Sequence, residues 1–147
     1  MKRLLIAMML MPFACVTAKK CPILPETTQI TYTTYTNSGT AINQTYEISD
    51  RLIVWKYTDY RNGVKKTDER KIDKQEYETL VKELSVISFS VKKNDSPEAG
   101  GEGWGCSFFH NGKRYLSFNC LDHFSGDYQK ALTLIEQFIK SHPIASE

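Results

Sequence analysis

From Gln29 onward, apolar and polar positions alternate with a period of two. Ile30, Tyr32 and Thr34 interleave with Thr31, Thr33 and Tyr35, a β-branched and aromatic run that suits a strand. Asn37-Ser38-Gly39 supplies turn chemistry, a second strand is expected over 44–48, and a tight turn at Ser49-Asp50 leads to a third over 52–58. In that third strand Ile53, Trp55 and Tyr57 share one face, and Leu52 and Val54 the other. Asn62-Gly63 marks a hairpin. The fourth strand it introduces, over 64–72, is rich in Lys, Arg and Glu, as an exposed sheet edge would be.

The period then changes. Asp73 can cap a helix, with Glu76 as the reciprocal partner of a capping box and Ile72 and Tyr77 placed as a hydrophobic staple. Tyr77, Leu80, Val81 and Leu84 fall at i, i+3, i+4 and i+7, so the spacing predicts an amphipathic helix over 74–85. Residues 86–91 return to an apolar, strand-like run. Residues 92–103 show no period and contain Pro97 and three glycines; unstructured connections this long are commonly functional or disordered. Strands over 104–109 and 114–120 flank a second hairpin signal at Asn111-Gly112. A last helix carries Tyr128, Ala131, Leu132, Ile135, Phe138 and Ile139 and is stopped by Pro143. The order ββββ-α-β-ββ-α, with strands arriving as hairpins, predicts an α+β domain: a single antiparallel sheet with two helices packed on one face.

The first residues set the expected compartment. Lys2 and Arg3 precede an apolar run from Leu4 to Val16, and Val16-Thr17-Ala18 presents small residues for cleavage, the layout of a secretory signal over 1–18. The run is shorter than the roughly 20 residues a membrane-spanning helix needs, so no transmembrane helix is expected. Cys15, following Ala14, offers a second route in which a lipid tethers the exported chain. Residues 19–27, with Pro22 and Pro25, read as an extended leader, and 28–142 as one domain. The chain has 19 Lys and Arg against 17 Asp and Glu; Lys2 and Arg3 leave with the signal, so 17 of each remain. A formally neutral domain lacks the basic excess from which nucleic-acid binders draw their affinity, so no nucleic-acid partner is expected.

Chemistry-bearing residues are few. Cys106, His110, Cys120 and His123 have gaps that match no common zinc spacing. A two-residue turn at Asn111-Gly112 pairs Cys106 with Ser117, which places Cys106 and Cys120 on opposite faces and argues against both a shared metal and a bridge between them. Cleavage leaves Cys21, Cys106 and Cys120, and the expected disulfide joins Cys21 to one of the other two. A Cys–His nucleophile, with Asp122 orienting the base, is the enzymatic alternative: a small Cys/His-dependent hydrolase. The glycines at 100–105 open a strand rather than a helix, so they make no phosphate cradle, and no cofactor is expected.

The paired strands ending in EISDRLIVWKY, the helix KIDKQEYETLVKEL, the Gly-rich stretch and GWGCSFFHNGKRYLSF resemble small exported bacterial proteins of unknown function. The resemblance implies a bacterial envelope setting, periplasm or cell surface, and no reaction. The expected function is therefore that of an exported non-enzymatic binding module, of inhibitor or immunity type, with a structural envelope protein as a further alternative. Its protein partner is expected to meet the exposed sheet face and the loop 92–103, with Gly101, Glu102, Trp104, Trp55 and Tyr57 as binding residues.

Overall fold

The computed structural model describes residues 22–36, 41–94 and 102–144. The expected export signal, Cys15, Cys21 and Gly101 lie outside them. Four strands come first: β1 (Gln29–Thr36), β2 (Ile42–Ser49), β3 (Leu52–Asp59) and β4 (Val64–Lys71). Then follow α1 (Lys74–Ser85), β5 (Phe89–Lys92), β6 (Glu102–His110), β7 (Lys113–Asn119), β8 (His123–Gly126) and α2 (Tyr128–Ser141). Six strands form one antiparallel sheet in the order β4-β3-β2-β1-β6-β7. The expected fold class and element order hold. The strand that the sequence pattern did not announce is β8, which pairs with β5 as a separate two-stranded ribbon.

Cross-strand register explains the layers. One row runs Ile53–Ile48–Ile30–Phe108, and all four side chains are fully buried. The next runs Trp55–Tyr46–Tyr32–Cys106–Phe118. These residues pack with Tyr77, Leu80, Val81 and Leu84 of α1 and with Ala131, Leu132 and Ile135 of α2, so both helices cover this one face. Helix α1 starts where the capping box places it: the Gln75 amide donates to the Asp73 carboxylate (2.7 Å), and the Asp73 amide donates to Glu76 (3.1 Å). On α2, the Glu136 carboxylate accepts a bond from the Tyr32 hydroxyl at 2.7 Å, tying that helix to the sheet centre.

The β6–β7 register departs from expectation. The turn Asn111-Gly112 has two left-handed residues, φ 49° and 74°, as a two-residue hairpin requires. A bulge then intervenes: Phe109 faces Arg114, but Phe108 faces Leu116. Cys106 therefore pairs with Phe118, one residue beyond the expected Ser117. The extra residue is Tyr115, whose hydroxyl meets Thr27 Oγ1 at 2.7 Å and accepts from the Leu24 amide at 3.0 Å.

Those bonds also change the reading of residues 22–27, which are fastened rather than extended away. Ile23 is 1% exposed and belongs to the core. The Tyr77 hydroxyl donates to the Thr27 carbonyl at 3.1 Å, and the Thr28 amide to the Phe109 carbonyl at 2.8 Å. Ile23→Ala should cost about 2–4 kcal/mol, the usual range for truncating a buried aliphatic side chain. Urea denaturation measures this, and a cost within about 0.5 kcal/mol, as for an ordinary surface change, would show that the segment is only an arm.

Candidate functional site

The sheet's two faces differ in chemistry. The face without helices carries Thr31, Thr33, Thr45, Ser107 and Ser117 and the Glu47–Lys56 ion pair. Of the strand aromatics Tyr32, Tyr35, Trp55, Tyr57 and Trp104, only Tyr35 lies there. Its ring covers Gly103 so closely that a Cβ at that position would sit 2.4 Å from Tyr35 Cζ. Tyr32, Trp55, Tyr57 and Trp104 share the parity of the buried isoleucines and so lie on the helix-bearing face.

That face is only partly roofed. The two rows beyond Tyr46 and Trp55 read Lys66–Tyr57–Gln44–Thr34–Trp104 and Val64–Asp59–Ile42–Thr36–Glu102. At the β2–β4 side they stay open. Trp55 and Tyr57, both half-buried, have ring centroids 5.8 Å apart and planes tilted by 38°. The Trp55 indole donates to Gln44 Oε1 at 3.3 Å, which fixes the orientation of the larger ring. Two hollows adjoin across Trp55 and Gln44. The inner one, about 300 Å³, lies between Tyr46, Trp55 and the end of α2, where Ile139, Lys140, Pro143 and Ile144 close it. The outer one, about 440 Å³, is bounded by Tyr57, Asp59, Val64 and Lys66. Pro143 matters to this geometry because it cannot continue α2 and so turns the chain away at the shelf's inner edge.

The structure thus brings Trp55 and Tyr57 together and leaves Trp104 and Glu102 three strand spacings away, about 14 Å at ordinary sheet geometry. Glu102 is exposed at the start of β6. Trp104 is part of an aromatic cluster instead: it meets Phe118 edge-on at 6.1 Å and Phe124 at 5.9 Å, and Phe124 stacks on Tyr128 at 4.2 Å. It holds the β5–β8 ribbon and the start of α2 against the sheet. Gln44 is the residue that sequence reading missed; its signal was its place beside Trp55 in a neighbouring hairpin strand.

The thiols are far from any such arrangement. Cys106 is buried in the core, and burial together with the Glu136 carboxylate pushes its thiol well above the usual range. Cys120 lies 3.4 Å from the Tyr35 hydroxyl, and that contact, more than burial, pushes the phenol up to about 12. Among the described residues both thiols are free. The bridge expected of Cys21 lies outside the described residues. His110 Nδ1 is bonded to the Glu26 carbonyl at 2.7 Å, and His123 is exposed on β8; among the described residues no hydrogen bond joins a cysteine to a histidine. No group of three or more His, Cys, Asp or Glu there could hold a metal ion, and no helix there is long and apolar enough to cross a membrane.

Asp122, the expected orienter of a catalytic base, clamps a loop base instead. Its buried carboxylate accepts from Lys93 Nζ at 2.8 Å, the Asn119 amide at 2.9 Å and the Asn94 amide at 3.3 Å. Burial pushes its pKa up, but these three bonds outweigh it, and the group sits below its ordinary value of 3.8. A depressed carboxylate stabilises the fold in full above its unfolded-state pKa and loses that contribution as pH falls through the folded value. Melting temperature should therefore drop between pH 5 and 3 in the native chain, by about 2–4 °C more than in Asp122→Asn, which starts lower at neutral pH. Parallel pH profiles of the two proteins would count against the clamp. No protein-family model, curated protein or solved structure matches the chain significantly.

Proposed function

We propose that this chain is an exported, non-catalytic recognition domain and that its binding surface is the Trp55–Tyr57 shelf. The observation that carries this reading is the paired rings themselves: half-open, held at 5.8 Å, with the indole oriented by Gln44. Ring area presented without rotamer freedom to lose is what interface anchors supply, because little ordering cost is left to subtract from the contact energy. The polar groups around the rings, Gln44, Asp59, Lys66 and Lys140, are few and placed at the hollows' edges, the usual makeup of a ligand site.

This moves the expected surface. Sequence reasoning chose the helix-free face and the loop 92–103, whereas the hydroxyl-rich character of that face and the packing of Trp104 favour the opposite side of the sheet. Export rests on the basic start, apolar run and small-residue cleavage site of residues 1–18. A lipid tether at Cys15 fits the same reading. Residues 22–27 are fastened beside the start of β1, while Trp55 and Tyr57 lie level with Tyr32 and Thr34, about 10–17 Å along the strand from Gln29. A tethered domain could then present the shelf away from its anchor.

Capture from an envelope extract tests the surface. The double variant Trp55→Ala/Tyr57→Ala should retain at least about tenfold less bound material than the native protein, the loss expected when central aromatic anchors are truncated. A helix-free-face variant, Thr45→Lys/Ser107→Lys, should capture as the native protein does. Circular dichroism confirms that both are folded. Loss of capture in the second variant alone would move the binding surface to the other face.

A further inference from the structure

We infer that strand β4, an edge of the large sheet, docks a second copy of this chain. The two β4 strands run antiparallel, with Thr67 opposite Thr67, and join two six-stranded sheets into one. Two independent observations choose this pairing: which backbone groups of β4 point outward, and the order of its charges.

Strand β4 ends the order β4-β3-β2-β1-β6-β7, so it pairs on one side only. Its register with β3 continues to Arg51 and Ile72, where the Ile72 amide donates to the Arg51 carbonyl at 3.0 Å. In an antiparallel ladder, residue pairs that exchange backbone bonds alternate with pairs that do not. Val64, Lys66, Asp68 and Arg70 therefore bond to β3, and Lys65, Thr67, Glu69 and Lys71 turn their N–H and C=O groups outward. The Glu69 amide fits this alternation, since it donates to the Asp68 carboxylate at 2.7 Å and not to β3.

A second β4 can meet those outward groups only where odd-numbered residues stand opposite one another. With Thr67 at the two-fold axis, Lys65 faces Glu69 of the second copy and Lys66 faces its Asp68, and the axis repeats both pairs. The next allowed step one way sets Lys66 opposite Lys66. The next step the other way sets Asp68 opposite Asp68 and Lys65 opposite Lys71. Each exposed charge pair contributes little alone; together they admit one register and oppose its neighbours.

The groups needed are accessible. All of β4 except Asp68 is exposed, and among the described residues none of its charged side chains is in an ion pair. Docking exchanges one local contact: the Glu69 amide passes to the Lys65 carbonyl of the second copy, and the Asp68 carboxylate to its Lys66. The other edge, β7, carries Lys113 and Arg114 and no acid, so it has no such match with itself. Joining β4 to β7 would be head-to-tail and would grow without closing, whereas β4 on β4 uses up both edges and closes. The axis stands perpendicular to the sheet. Both copies thus keep their helices, and their Trp55–Tyr57 shelves, on the same side.

Analytical ultracentrifugation of the exported protein, over about a hundredfold range of concentration, should show a reversible monomer–dimer equilibrium that salt weakens. Thr67→Pro removes an outward N–H that β3 does not use, a change an edge strand tolerates, and should raise the dimer dissociation constant at least about tenfold. Lys65→Glu/Lys66→Glu and Asp68→Lys/Glu69→Lys should each be monomeric alone, because like charges then meet across the axis. An equimolar mixture of the two should recover a dimer containing one of each. Circular dichroism checks that every variant is folded, and if Thr67→Pro is not, the mixture decides. A native protein that stays monomeric, an assembly that grows past the dimer, a dimer undiminished in the charge variants, or a mixture that remains monomeric overturns the pairing.

Discussion

The pairing of β1 with β6 joins segments more than sixty residues apart, and the arrangement of everything else follows from its register. With Ile30 opposite Phe108 and Tyr32 opposite Cys106, the apolar positions of the first four strands and of the later hairpin fall on one side of a continuous sheet. Both helices then have a single apolar face to cover. A slip of one residue would turn Phe108 and Cys106 outward and Ser107 inward, splitting the core into two halves too small to hold α1 and α2. The bonds from Thr28 to Phe109 and from Tyr77 to Thr27 lock that register from the chain's entry side.

The shelf is a consequence of unequal lengths. Strands β1 to β4 run eight residues each, while the core under the helices takes in Tyr32 and Tyr46 and stops short of Trp55 and Tyr57. What lies beyond is aromatic by parity, since Trp55 and Tyr57 alternate with Lys56 and follow Ile53 on the covered face. The residues that serve the core at one end of β3 thus become a half-open platform at the other, without any change of pattern. The same strand both stabilises the domain and presents its surface.

Much of this was written locally and could be read. Helix α1 announces itself through Asp73, Glu76 and the Tyr77–Leu84 spacing, and the Asn111-Gly112 hairpin through its left-handed turn. What could not be read depends on contacts distant in sequence. The bulge at Tyr115 shifts Cys106 from Ser117 to Phe118, and the Tyr115 hydroxyl is bonded to residues 24 and 27. Ile23, in the short Pro22-Ile23-Leu24-Pro25 stretch, has no periodicity to reveal that it is core. Strand β8 is four residues long and forms only because β5 is beside it. Period two showed that Ile53, Trp55 and Tyr57 share a face, but where the helix roof stops is set by packing, and that boundary separates core from site.

The claim that Trp104 packs into the aromatic core while Trp55 lines the shelf's hollows is directly measurable, because the chain has only two tryptophans. In Trp104→Phe the remaining emission comes from Trp55 alone. It should be red-shifted and strongly quenched by acrylamide, whereas Trp55→Phe should leave a blue-shifted, protected emission from Trp104. A shielded Trp55 would contradict the open shelf and the recognition surface built on it.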